Sequence, residues 1–132
     1  MQNLLFCWIC NFRVLKRPTL DAKCKDANMA KFIESWVYEG IEGKPWAEVK
    51  ARVLEFKVAL LEKGAPEVNV REGSFGAGMG TFTLEAVFPS AAAWGAFADS
   101  FDDDAAWEAK MSAWQANPKL MGKSGSIFTE VK

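Results

Sequence analysis

The sequence predicts an α+β domain in which four strands form one antiparallel sheet and the helices cover a single face of it. Period-two alternation of side-chain character recurs in four separate segments, and helical periodicity occupies the stretches between the first and second and between the third and fourth. Glycine, proline and acidic punctuation separates these segments into the order β-α-β-β-α-β. A chain of 132 residues, half of them hydrophobic, is one domain's worth and is large enough for a real core.

The first strand covers residues 31–39, where Phe32, Glu34, Trp36 and Tyr38 alternate with Ile33, Ser35 and Val37. Residues 40–44 break the alternation, and Pro45 suits a helix start, where an N–H would have no intrahelical acceptor. The helix that follows spans 46–63. Trp46, Val49, Val53, Phe56 and Leu60 mark its buried face, Leu54, Val58 and Leu61 are expected to widen that stripe, and Glu48 stands one turn from Arg52 as an exposed ion pair. Gly64 and Pro66 end it.

The second strand covers 67–72, with Val68 and Val70 on one side and Glu67, Asn69 and Arg71 on the other. The glycine-rich stretch 73–80 lacks the GK[ST] ending of a phosphate loop and leads into a strand rather than a helix, so it reads as a hairpin connection. Phe75 and Met79 within it are placed to cover a pocket mouth. The third strand covers 81–88 and carries Phe82, Leu84, Ala86 and Phe88 on one side and Thr81, Thr83, Glu85 and Val87 on the other.

Ser90 is an N-cap for a second helical region in which Trp94, Phe97 and Phe101 share one face. Asp102, Asp103 and Asp104 interrupt it. They lack the glycine and glutamate of a calcium loop, so they read as a helix break with Asp104 capping the next segment, and no metal is expected there. Trp107, Met111 and Trp114 resume the periodicity as core, Asn117-Pro118 closes it, and residues 126–131 form the last strand. This is the element order of a ferredoxin-like sheet with both helical regions on one face, leaving the other face bare.

Residues 1–28 read as a separate object. They hold Arg13, Lys16, Arg17, Lys23 and Lys25 against Asp21 and Asp26, while the whole chain has a net charge of −1, so the folded region is acidic and offers no footprint for nucleic acid. The apolar run from Leu4 to Cys10 is too short to span a bilayer, and its basic residues follow it rather than precede it, against a membrane or secretory role. Cys7, Cys10 and Cys24 are not a disulfide framework, and the cysteine-free remainder fits a reducing cytoplasm. The Cys7-Trp8-Ile9-Cys10 motif has neither the strand-helix context of a redox pair nor the histidines that would complete a zinc site. The expectation is a flexible extension, or translated sequence upstream of a true start at Met29.

The stretch Ala91-Ala92-Ala93-Trp94-Gly95-Ala96-Phe97, the following Asp104-Ala105-Ala106-Trp107 and the terminal Ser126-Ile127-Phe128-Thr129-Glu130-Val131 resemble the dimeric α/β-barrel superfamily. That superfamily includes antibiotic-biosynthesis-type monooxygenases and NIPSNAP-like and stress-responsive barrel proteins. The resemblance covers residues 30–132 and implies a homodimer whose sheets face each other, with ligands held between each sheet and neighbouring elements. Some members of the superfamily oxidise aromatic polyketides without a metal or flavin. The haem-degrading chemistry of some members uses a histidine and does not transfer to a chain that has none.

Face assignment by side-chain size puts Ile33, Ser35 and Val37 under the helices and Phe32, Glu34, Trp36 and Tyr38 on the bare side, beside Asn69, Arg71, Thr83 and Glu85. Glu34 and Glu85 are then expected to be neighbours. Mutual repulsion and burial raise a carboxylate's pKa towards that of a useful general base. The candidate chemistry is proton abstraction by Glu34 or Glu85 from a small aromatic or enol-like substrate. Trp36, Tyr38 and Thr83 would hold it, and Arg71 or Asn69 would stabilise the enolate. The competing expectation is an Arg71–carboxylate ion pair among rings that merely fill a dimer interface. The sequence therefore points to a small-molecule-binding barrel dimer of the cofactor-independent monooxygenase or isomerase-like kind, with no cofactor. The alternative is a non-catalytic dimerisation or ligand-carrier module.

Overall fold

The computed structural model of the chain describes residues 30–131. The expected extension over 1–28, with its Cys7/Cys10 pair, lies outside the described residues. The elements run β1 (Phe32–Gly40), α1 (Trp46–Lys63), β2 (Glu67–Glu72), a 3₁₀ turn (Gly76–Gly78), β3 (Thr81–Phe88), α2 (Ala91–Asp99), α3 (Ala105–Ala116) and β4 (Leu120–Thr129). The strands form one open antiparallel sheet in the order β2-β3-β1-β4, an α+β architecture compatible with a ferredoxin-like arrangement.

Residues directly opposite each other in an antiparallel pair project from the same face. Phe32, Glu34, Trp36 and Tyr38 of β1 stand opposite Phe88, Ala86, Leu84 and Phe82 of β3. These side chains, with Val68 of β2, pack against Val49, Val53, Phe56 and Leu60 of α1, Phe97 of α2 and Trp107 and Met111 of α3 in one core. The face assignment expected for β1 is therefore reversed. Ile33, Ser35 and Val37 point to the side that no described helix covers. Helices resting on a sheet need large apolar partners, and β1 supplies them from its aromatic set rather than its small one.

Helix α1 ends at Gly64, whose φ of 110° is the left-handed conformation that glycine adopts without steric cost. Leu54, Val58 and Leu61 are exposed rather than part of the buried stripe. Leu54 and Leu61 lie one position past a core residue and Val58 one position before one, each about 100° round the helix from it, and so they turn away from the sheet. Arg52 pairs with Glu55 at 3.0 Å rather than with Glu48, which meets Lys119 at 2.6 Å.

The caps fall where the residue types put them. The Ser90 hydroxyl accepts from the Ala93 N–H, and the Asp104 carboxylate accepts from the Trp107 N–H. Lys63 also pairs with Asp104, and its ammonium lies 5.0 Å from the centre of the Phe101 ring, which ties the end of α1 to the break between α2 and α3. These bonds hold the Asp104 carboxyl below its ordinary range, Lys63 contributing most.

Strand β4 begins at Leu120 and ends at Thr129, earlier at both ends than the expected 126–131. Its first half, Leu-Met-Gly-Lys-Ser-Gly, has no alternating apolar pattern and is held by backbone pairing to β1, with a register shift between Val37 and Tyr38. Residues 73–80 join the antiparallel neighbours β2 and β3, as a hairpin connection requires. Phe75 and Met79 in that loop are well exposed. Among the described residues no helix is long and apolar enough to cross a membrane.

Candidate functional site

The sheet divides the expected site residues between its two faces. Glu34, Trp36 and Tyr38 are buried beneath the helices. Asn69, Arg71, Thr83 and Glu85 occupy the opposite face, where Ser35 stands opposite Glu85 and Asn69 stands on Glu85's other side. Glu34 and Glu85 are thus one residue out of step and back to back, because a single-residue change of register exchanges the faces of a strand. Glu85 instead pairs with the largely exposed Arg71 at 3.2 Å. The single surface expected to hold all seven residues is not formed.

The helix side holds the more unusual chemistry. The Glu34 carboxylate is flanked by Ala86 and Ile127, neither of which offers it a polar side chain. The Trp94 indole N–H of α2 donates to it at 2.8 Å, and the Trp94 ring packs on Phe32 with centroids 5.1 Å apart. Burial raises the Glu34 pKa from 4.5 to about 7, and the indole hydrogen bond offsets only part of that rise. The Tyr38 hydroxyl is pushed up as well, chiefly by burial and secondarily by the negative charge of Glu34.

Further along the same face a cleft opens between the sheet, α1 and α3. Trp36, Tyr38, Phe56, Leu60, Leu84, Trp107, Met111 and Trp114 line its roughly 300 Å³, part of which is open to solvent. Its rings interlock, with Tyr38 edge-on to Phe56 at 5.6 Å, Phe56 against Trp114 at 4.3 Å, and Trp114 perpendicular to Trp107 at 6.2 Å. Beside Trp36 and Tyr38, β4 presents Gly125 and Gly122. Those positions carry no side chain across the flank of the two rings. A second, smaller cleft, lined among others by Arg52 and Gln115, shares the Phe56, Met111 and Trp114 wall.

The sequence assigned Trp107, Met111 and Trp114 to core and did not anticipate either the cleft or the bond between Trp94 and Glu34. Helical spacing identifies the side chains that turn inward, but the space left between them depends on packing that periodicity does not encode. Phe75 and Met79, expected over a pocket mouth, line neither cleft. Among the described residues no group of three His, Cys, Asp or Glu side chains is placed to hold a metal ion.

No family model matches the chain, and no curated protein matches it.

Proposed function

We propose that the protein binds a small aromatic or apolar molecule in the cleft between its sheet and α3, and that Glu34 acts as the proton acceptor for that molecule. The subunit in this reading is ferredoxin-like. Two copies bring their uncovered sheet faces together as a dimeric α/β barrel, in a reducing cytoplasm and without a cofactor.

The observation that carries the reading is the placement of a buried carboxylate with a pKa of about 7 on the same strand face as an aromatic-walled cleft. The cleft is walled almost wholly by aromatic and aliphatic side chains and opens to solvent, which suits a compact apolar ligand whose entry spreads those side chains. Transfer of a C–H proton from an activated ring carbon to Glu34 leaves an enolate. Reprotonation at another carbon is isomerisation, and oxidation of the enolate by dioxygen is the route of a cofactor-independent monooxygenase. Both begin with the same step. The alternative, a carrier that only holds its ligand, draws support from Glu34 lying beside the cleft rather than among the residues that line it.

The test uses 2-tetralone, a two-ring ketone with an acidic benzylic C–H, dissolved with the protein in deuterated buffer and followed by proton NMR. Exchange at that carbon is expected to run faster than in buffer alone. In Glu34→Gln the acceleration falls by about a hundred-fold or more, the usual worth of a positioned base, while binding persists. Binding with no acceleration by the unaltered protein leaves the carrier reading, and no binding removes both.

A further inference from the structure

We infer that the cleft selects for ligands bearing a hydrogen-bond-accepting oxygen, taken by the indole N–H of Trp107. This rests on the proposed use of the cleft as a ligand site. Trp107 is about nine-tenths buried and lines the cleft, and its Nε1, itself closed off from solvent, has no hydrogen-bond partner among the described residues, so a ligand oxygen reaches it only as a neighbouring side chain gives way. Native structures seldom leave a buried N–H in that condition without a functional reason or a bound partner.

The side chain has little freedom to find an acceptor elsewhere. Its own backbone N–H is engaged by the Asp104 carboxylate at 3.0 Å. Its ring is held edge-on by Phe101 at 4.7 Å and by Trp114 at 6.2 Å. Among the described residues the only other buried side-chain atom without a partner is Gln115 Nε2, also a donor, also on α3, in the cleft across the shared wall. Both unmet groups therefore ask for acceptors. The Tyr38 hydroxyl in the same wall keeps its proton, because burial and the neighbouring Glu34 both push its ionisation upward. None of the residues lining the Trp107 cleft is acidic, so nothing in its wall recommends a cationic ligand. The ligand class that fits is an apolar ring system with a ketone or ether oxygen.

The matched pair 2-tetralone and tetralin, alike in shape and differing at the carbonyl, tests this by NMR titration of the unaltered protein and of Trp107→Phe. The expected result is that the substitution weakens 2-tetralone on the order of ten-fold and leaves tetralin nearly unchanged. Equal effects on the two ligands overturn the inference, because the ring then serves only as packing, and the cleft reading survives. Failure of either ligand to bind the unaltered protein overturns the cleft reading and this inference with it. Should Trp107→Phe fail to fold, the indole N–H resonance of Trp107 in the unaltered protein decides. A downfield shift with 2-tetralone and none with tetralin supports the bond, and no difference between the ligands overturns it.

Discussion

Glu34 shows how much of this protein's chemistry depends on one side chain's surroundings. A carboxylate on an exposed strand face ionises near pH 4.5, whereas here burial raises that value to about 7 against the single indole donor that opposes it. Between those two pH values the folded state holds a proton that the unfolded state has released, so stability falls as pH rises through this window and levels off above about 7. The contribution lost is on the order of 3 kcal/mol. Urea melts at pH 5 and pH 8 are expected to show that loss in the unaltered protein and to show it abolished in Glu34→Gln, whose amide oxygen still accepts from Trp94. Side-chain size was legible in the sequence, and it misled. Alternation separates β1 into two sets, and size alone put Ile33, Ser35 and Val37 beneath the helices and the set holding Glu34 on the other side. Only the pairing with β3 shows that this set carries the rings the helices need.

Arg52 does at the level of elements what Glu34 does at the level of a residue. Its buried guanidinium donates to the Asn117 carbonyl at 3.1 Å and the Trp114 carbonyl at 3.4 Å while pairing with Glu55. Carbonyls at the end of a helix have no intrahelical donor, and a cation there also meets the negative end of the helix dipole, so α1 in effect caps α3. Arg52→Met is expected to keep the packing of the aliphatic stem and still cost about 2 kcal/mol, read as a lower denaturation midpoint with an unchanged denaturant slope. Arg52→Lys should restore little, since an ammonium lacks the planar fork that serves several acceptors at once. Local signals located the Ser90 and Asp104 caps and the Gly64 stop. They did not locate Arg52's partners, more than sixty residues away, or the first half of β4, which is strand because β1 offers it backbone partners rather than because its side chains alternate.

At the level of the whole molecule, the sheet face that no described element covers is where the proposed dimer would form. It carries Ile33, Val37, Val87 and the well-exposed Phe128, set among Ser35, Thr83 and the Arg71–Glu85 pair. The rings of β1 lie on the other face, so this surface is less aromatic than the sequence suggested, and the apolar residues that remain are aliphatic apart from Phe128 and Met121. The barrel proposal expects light scattering on a sizing column to return twice the monomer mass. It also expects Val37→Glu, at the middle of β1, to give a folded monomer with an unchanged far-ultraviolet spectrum. A stable monomer from the unaltered chain would contradict the barrel while leaving the cleft, which lies within one subunit, intact.

The sequence by itself determined the order of the elements, most of their limits, both capping residues and the apolar side of β3. All of these follow from interactions within a few residues of each other, where side-chain spacing and backbone geometry are set locally. The side of β1 that meets the helices, the separation of Glu34 from Glu85, the reach of β4 and the cleft against α3 were decided by tertiary structure alone. Each depends on register between strands or on how rings from distant segments fill shared space, and neither quantity is written into the local pattern of any one segment.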